Sequence, residues 1–314
     1  MTAPSHSSVA IVVVGDVMVD SFVLIDAPLS PGVDQPMRLV RRVGGQAANT
    51  SAWLAWSGVP VHLVAACGDD EEGDWIQDRL SSRGVRTHLV RGSEPTGSCI
   101  VVVDPTGERT MFSRPTTSAT LAELCRSRVS TIWQELGSVP VTHLHLSGYL
   151  LDRDPTLAAD LARHAPGGTT VSMDTAAFRP NADHRRALKE VLAHLDVLIG
   201  TAQELSALLD SDASTVSEVA SLARLWQTRF DGTVVVKQGA EGASAFDGGD
   251  LLTAPALTSE VVDTTGAGDA LAAGFLATWV LDRAALPQAL ESGIQAAARA
   301  VGHIGADPPA QEGR

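Results

Sequence analysis

Residues Val261–Val280 read VVDTTGAGDALAAGFLATWV, a turn of small residues running into an apolar helix, with one carboxylate, Asp269, where turn becomes helix. Gly266, Ala267 and Gly268 carry nothing larger than a methyl group, so their backbone N–H groups can converge on one point. A helix N-terminus behind them adds partial positive charge, which makes a place for an anion. An aspartate beside such a place repels a phosphate unless a hydroxyl, or a hydroxyl and a cation, stands between the two. The pattern therefore points to phosphoryl transfer onto an alcohol.

Rival phosphate motifs fail on single residues. A Walker A loop needs Gly-Lys followed by Ser or Thr, and the two lysines of this chain, Lys189 and Lys237, both lack a preceding Gly. A dinucleotide fingerprint needs a third Gly where Leu271 stands, and belongs in a first βα unit, not near the C-terminus. A nicotinamide dehydrogenase is accordingly disfavoured.

With 314 residues, 44% of them hydrophobic, the chain can bury a substantial core, and residues 1–314 read as one domain. A formal net charge of -14 argues against nucleic acid and anionic membrane as partners, because those surfaces are bound mainly through Lys and Arg. A small phosphate ligand stays open, since local amides and metal ions decide that contact. Cys67, Cys99 and Cys125 are odd in number and show no CxxC spacing, which fits a reducing cytoplasm. MTAPSHSSV has no basic n-region and AIVVVG is too short to span a membrane, so a soluble cytoplasmic protein is expected.

Ala10–Val14 reads as a fully buried strand. Further strands are expected at His62–Ala66, Thr142–Leu146, Thr170–Met173, Val197–Ile199 and Thr233–Lys237. Helical patterns fall between them at Gln46–Ser57, Asp74–Arg83, Pro155–His164, Arg185–His194, Ala202–Leu209 and Val216–Arg229. The alternation predicts a doubly wound α/β fold, a mainly parallel sheet with helices on both faces. Two segments break it, about residues 20–43 and 97–115, with the β-rich pieces SFVLI, PMRLVRRV, SCIVVVD and RTMFS. They are expected to form one small sheet projecting over the main sheet as a lid; two independent edge hairpins are the alternative.

VVDTTGAGDALAAGF is very similar to the C-terminal signature of the ribokinase-like, or PfkB-type, carbohydrate kinases, and VGGQAANTSAWLAWSG at Val43–Gly58 resembles their N-terminal signature. GDVMVD, CGDD, LSGYL and KQGAEGA fall at that family's usual intervals, so the resemblance spans nearly the whole chain. It implies an ATP-dependent sugar kinase in which Asp269 is the catalytic base and the amides of Gly266, Ala267 and Gly268 stabilise the moving γ-phosphoryl group. Beside a helix N-terminus the Asp269 carboxyl is expected below its ordinary pKa, so that it orients the hydroxyl more than it attacks its proton.

The same resemblance puts Asp20, Gly44, Gly45 and Asn49 against the sugar, with Asp20 at the C-terminal end of the first strand. Lys237, Gly239 and Gly242 meet the ATP phosphates, and Glu204 helps hold hydrated Mg²⁺, with Thr201 standing where relatives have Asn. Asp263, with carbonyls near Thr265, Ala300, His303 and Gly305, matches a K⁺ loop, although Pro309 replaces a hydroxyl found there in some relatives. RPTTSA at Arg114–Ala119 and the segment Ser147–Tyr149 depart from ribose-specific members. Ribose, a ketohexose and a 2-keto-3-deoxy sugar acid all remain open, with Arg114 or Arg179 available to an acid's carboxylate. A nucleoside kinase and a non-catalytic nucleotide or sugar sensor are the alternatives. The lid segments hold Phe22 and Phe112 but no Trp or Tyr to stack on a base, which favours sugars. Apolar lid faces also suggest a homodimer.

Overall fold

The computed structural model describes residues 9–106, 108–116, 119–137, 141–154, 156–175, 181–209, 219–281 and 285–309. Its centre is β1 (Val9–Asp16), a β-branched run buried on both faces, as a strand between two parallel neighbours must be. β4 (Val61–Gly68) pairs with it on one side and β8 (Val141–Ser147) on the other, so that Val13 faces Leu63 and His145. The order of the nine-stranded sheet is β13-β12-β11-β10-β9-β8-β1-β4-β5. β9 (Thr170–Asp174), β10 (Val197–Thr201) and β11 (Thr233–Lys237) run parallel; β12 (Ala243–Phe246) and β13 (Leu252–Ala254) close the edge antiparallel.

From β1 the chain builds outward through β4 to β5 (Arg86–Gly92), then returns to add β8 on the far side. The strand order thus reverses between β1 and β8, and the crevice outside their carboxyl ends is where an open α/β sheet receives a ligand. α1 (Gln46–Trp56), α9 (Ala267–Trp279) and α10 (Leu286–Ala300) cover one face of the sheet with a core that includes Trp53, Phe275 and Ile294. The other face packs against α3 (Ala119–Glu135), α5 (Leu157–Arg163), α6 (Ala182–Leu192) and α8 (Val219–Gln227), around Ile132, Leu161, Leu188 and Trp226.

All six expected strands and all six expected helices have counterparts, β11 at the expected bounds and the others with shifted ends; Pro155 and residues 216–218 of two expected helices lie outside the described residues. α2 (Glu71–Ser81) begins earlier than its apolar pattern because Asp70 caps it, accepting the Gly73 N–H at 2.9 Å. β5, α3 and α10 were not foreseen. RTHLVRG in β5 is an edge strand whose arginines hide its pattern, and α10 starts with Pro287 in its first turn.

The two β-rich segments form a single four-stranded sheet and not separate hairpins. β2 (Met18–Leu24), β3 (Arg38–Gly44), β6 (Gly97–Val103) and β7 (Arg109–Arg114) lie in the order β3-β2-β6-β7, with Phe22 facing Val101 across the parallel β2–β6 pair. Its underside, Phe22, Cys99 and Val101, packs against Ile304 at the end of the main body, so this lid is seated over the crevice. Its outer face leaves Leu39, Ile100, Met111 and Phe112 exposed.

Trp53 ties the helical layer to the C-terminal loop: fully buried, it donates its indole N–H to the Ala306 carbonyl at 2.8 Å. Trp53→Phe removes that donor and leaves the buried carbonyl unpaired, so a loss of about 1–3 kcal/mol is expected in urea unfolding. An unchanged midpoint would show that this tie carries no stability.

Candidate active site

The carboxyl ends of five neighbouring strands deliver a row of polar side chains to the crevice: Asp16 from β1, Ser147 from β8, Asp174 from β9, Thr201 from β10 and Lys237 from β11. Register fixes them beside one another, with Ser147 opposite Asp174 and Thr201 opposite Lys237. Asp20 is not at the end of the first strand as expected. Asp16 ends β1, and Asp20 sits on lid strand β2, reaching the crevice from above.

Gly44 and Gly45 make the passage from β3 into α1. A Cβ on Gly44 would lie 2.1 Å from Asp20 Oδ2, and Gly45, at φ 99°, brings the chain against the Asp16 carbonyl. The start of α1 is therefore pressed onto both aspartates. Asp16 Oδ2 accepts the Gln46 N–H at 3.1 Å, and Oδ1 accepts the Ser147 hydroxyl at 3.0 Å. Gln46 Oε1 accepts that hydroxyl at 2.7 Å, and its amide donates to the Thr175 carbonyl at 3.0 Å. One turn further, Asn49 Nδ2 donates to Asp269 Oδ2 at 2.7 Å, joining α1 to α9 across the crevice.

Asp269 lies in the first turn of α9, whose N-cap is Gly266 in the left-handed conformation (φ 73°). A Cβ there would strike Ala306 at 2.3 Å, so only glycine lets the loop close. The Ala267 N–H closes a long turn bond to the Thr264 carbonyl at 3.3 Å, which leaves anion contacts resting more on Gly266 and Gly268. Beneath Gly268 stands Lys237, with Nζ 3.2 Å from where a Cβ would be, bonded at 2.7 Å to the fully buried Asp174. Its ammonium is thus bonded within the protein, under the turn and not on the exposed Gly239–Glu241 side. There Gly239 (φ 59°) opens a turn of 3-10 helix, and Gly242 (φ 102°) closes it against the Ala254 carbonyl.

Crowded acids in a desolvated place hold their protons. Burial, reinforced by Asp16, Asp263 and Asp307, raises Asp20 to a pKa of about 7. Burial raises Asp174 to about 6 against the pull of Lys237, whose own pKa is raised mainly by Asp174 in spite of desolvation. Asp269 goes to about 8, pushed by desolvation and by Asp174 and lowered only partly by the Asn49 bond. This reverses the expectation of a lowered pKa. A helix terminus is worth about 1 kcal/mol, under one pKa unit, whereas enclosure by protein shifts an acid by several. Asp269 keeps a narrow opening to solvent, yet protein surrounds it on most sides.

Thr201 and Glu204 form a reciprocal cap on α7 (Ala202–Leu208): the Thr201 hydroxyl accepts the Glu204 N–H at 3.1 Å, and Glu204 Oε2 accepts the Thr201 N–H at 2.9 Å. Oε2 also accepts the Thr175 hydroxyl at 2.8 Å. Glu204 together with Asp174 Oδ2, buried and without a hydrogen-bond partner among the described residues, is a hard-oxygen set that fits Mg²⁺.

The residues expected around K⁺ fare otherwise. Asp263, Thr265 and Gly305 do converge, while Ala300 ends α10 and His303 bonds the Asp307 carbonyl at 2.6 Å. The Asp263 and Thr265 side-chain oxygens hold the guanidinium of Arg109 from β7, which pairs with Asp263 and bonds Thr265 Oγ1 at 2.8 Å, so the side-chain part of the expected cation loop already faces a positive charge of the chain's own. Arg109, Asp16, Gln46, Asp174 and Thr175 were all missed from sequence. A carboxylate ending a buried strand would have flagged Asp174; nothing in RTMFS marks Arg109. Arg114 braces the lid, donating to the Thr96 carbonyl at 3.0 Å, and Arg179 lies outside the described residues.

A sizeable cavity lies elsewhere, near the amino ends of β10 and β11, and is lined by Arg185, Lys189, Asp196 and Thr233. It holds none of the converging carboxylates, so the chemistry belongs at the carboxyl ends.

Comparison with known proteins shows the family. A family model described as "pfkB family carbohydrate kinase" matches residues 9–312. The ATP-dependent ribose-1-phosphate kinase of Halopiger xanaduensis is 30% identical over 231 residues, 72% of this chain and 69% of that one. A fructokinase of Klebsiella pneumoniae is 30% identical over 260 residues, 79% of this chain and 80% of its own. The crystal structure of ribokinase from Thermotoga maritima superposes with a TM-score of 0.80 at 24% identity, covering 96% of this chain and 97% of the other. Among the described residues no helix is long and apolar enough to cross a membrane.

Asp20 offers a clean test of the desolvated site. The unfolded carboxyl titrates near 3.8 and the folded one near 7, so between those values the folded chain keeps a proton that the unfolded chain releases, and stability falls as pH rises. Asp20→Asn removes this one contribution. Its stability relative to the parent should rise by at least about 1 kcal/mol between pH 5 and pH 8 in paired urea titrations. A pH-independent difference would mean that Asp20 is not raised.

Proposed function

Because the chain belongs to the pfkB family of carbohydrate kinases, and is therefore a phosphotransferase, we propose that it moves the γ-phosphoryl group of ATP onto a hydroxymethyl group of a small neutral sugar. The observation that carries this reading is Asp269, held by Asn49 at 2.7 Å and standing one residue after the Gly266–Gly268 turn. Across the crevice Asp20 Oδ1 is buried with no hydrogen-bond partner among the described residues, an acceptor that a sugar hydroxyl satisfies.

Charge narrows the acceptor. Asp16, Asp20, Asp174 and Asp269 all approach the crevice, and Lys237 is committed to Asp174. A sugar acid would add a further carboxylate to this set, so a neutral ribose-like or ketohexose acceptor suits it better. The relative named for fructose takes a neutral acceptor, whereas ribose 1-phosphate, in the name of the other, is an anion.

In the proposed reaction the acceptor hydroxyl donates to Asp269 and faces the γ-phosphorus. As its oxygen bonds to phosphorus, the bond from phosphorus to the β–γ bridging oxygen breaks, ADP departs, and the hydroxyl proton passes to the Asp269 carboxylate. The Gly266 and Gly268 amides, backed by Lys237 below, stabilise charge on the moving group. Glu204 and Asp174 are the residues that would hold Mg²⁺, which would screen the nucleotide's phosphates there. The seated lid excludes water, so that ATP is not simply hydrolysed. The exposed lid face around Ile100, Met111 and Phe112 supports pairing of two copies through their lids.

ADP release measured with ribose, fructose, 2-keto-3-deoxygluconate and adenosine should be fastest with one of the two neutral sugars; turnover confined to the acid or to adenosine would contradict the proposal. Asp269→Asn should lower kcat about a hundredfold or more while leaving the ATP dissociation constant unchanged. Since a protonated Asp269 cannot take the hydroxyl proton, kcat/KM of the parent should climb with pH, pass half its plateau near pH 8 and level off about one unit higher. A profile already flat from pH 6 would remove Asp269 from that role.

A further inference from the structure

The loop entering the Gly266–Gly268 turn carries one carboxylate, Asp263, buried and ringed by donors. Its Oδ1 accepts the N–H and the hydroxyl of Thr265 at 2.8 and 2.7 Å, and its Oδ2 accepts the Gly305 N–H at 2.9 Å. A guanidinium completes the set. Arg109, the first residue of lid strand β7, pairs with Asp263 Oδ1 and donates to Thr265 Oγ1 at 2.8 Å and to Thr264 Oγ1 at 2.5 Å. Three consecutive side chains of the loop thus converge on one planar cation delivered from another sheet.

We propose that Arg109 is a built-in counter-ion for this loop: it supplies the positive charge that a free monovalent cation would otherwise bring, and it does so only while the lid is seated. The inference rests on reading the following turn as the phosphoryl site. A buried carboxylate needs a compensating charge, and a guanidinium supplies one with a rigid fork of donors that no spherical ion matches. Delivery from β7 has a mechanical consequence, because Thr265 immediately precedes Gly266, the left-handed N-cap of α9. Holding residues 263–265 therefore holds the amides that grip phosphate. Lifting the lid withdraws Arg109, leaves Asp263 without its partner and frees the turn, so lid closure and ordering of the anion site become one event. Arg114 at the other end of β7 donates to Thr96 and Ser98, which anchors the strand within the lid rather than to the loop.

The test compares the parent, Arg109→Ala and Arg109→Lys in potassium chloride and in tetramethylammonium chloride at equal ionic strength. Melting temperature and amide exchange across residues 262–268 are read alongside ADP formation with the acceptor found for the parent. The parent should melt at the same temperature in both salts and differ less than twofold in rate. Without potassium, Arg109→Ala should exchange the Thr265 and Gly266 amides at least tenfold faster and turn over at least tenfold more slowly. Potassium should raise its melting temperature and recover part of the rate. Arg109→Lys, which keeps a charge but loses the fork, should fall between the two, and it decides the matter if the alanine variant does not fold. A parent stimulated tenfold by potassium, or variants whose exchange matches the parent in potassium-free buffer, would overturn the proposal. Melting and exchange need no acceptor, so a silent kinase assay would count against the kinase reading and leave this inference to be decided by those two readouts.

Discussion

Desolvated acids at the carboxyl ends of parallel strands are the constraint around which this molecule is arranged. Asp16 and Asp174 end β1 and β9, Asp20 descends from the lid, and Asp269 opens α9, so four carboxyl groups approach one crevice. Such a group persists only if it is neutralised, hydrogen-bonded or protonated, and the four divide among these routes. Asp16 is bonded by Gln46 and Ser147, and Asp174 takes one of the two lysines in the chain. Asp20 and Asp269 keep raised pKa values, near 7 and near 8. The glycines follow from the same crowding, since any side chain on Gly44 would displace the Asp20 carboxyl and any on Gly15 would meet Ser147 and Ala47.

A site of this kind is poised because it is incomplete. Asp20 Oδ1 and Asp174 Oδ2 are buried acceptors without hydrogen-bond partners among the described residues. Hydroxyl donors and a hard cation are the chemistry that completes them, and in the proposed reaction a sugar and a metal–nucleotide complex would bring both. The lid adds a second condition through Arg109, whose guanidinium reaches the loop that precedes the anion-binding turn.

Much of this was legible in the sequence, for a reason that differs from element to element. The parallel strands are short β-branched runs with no exposed face, so β1, β4 and β11 announce themselves. The Gly-rich turn and Asp269 are adjacent in the chain, and local chemistry was enough to read an anion site there. Non-local features were not readable. Arg109 meets Asp263 across 154 positions and Lys237 meets Asp174 across 63, so neither pairing leaves a mark in its own neighbourhood. The pKa of Asp269 was misjudged for the same reason: the helix terminus beside it is visible in sequence, while the enclosing walls come from α1, β9 and β11. Edge strand β5, with two arginines and a histidine in seven residues, shows how solvent exposure erases a strand pattern.

The central claim is that enclosure, and not the helix terminus, sets the proton affinity of Asp269. Carboxyl ¹³C NMR titration of the aspartate-labelled protein without ligands tests it most directly, with the Asp269→Asn spectrum identifying the resonance. The account predicts a titration midpoint near pH 8 for Asp269. A midpoint near 3.8, the ordinary aspartate value, would contradict it.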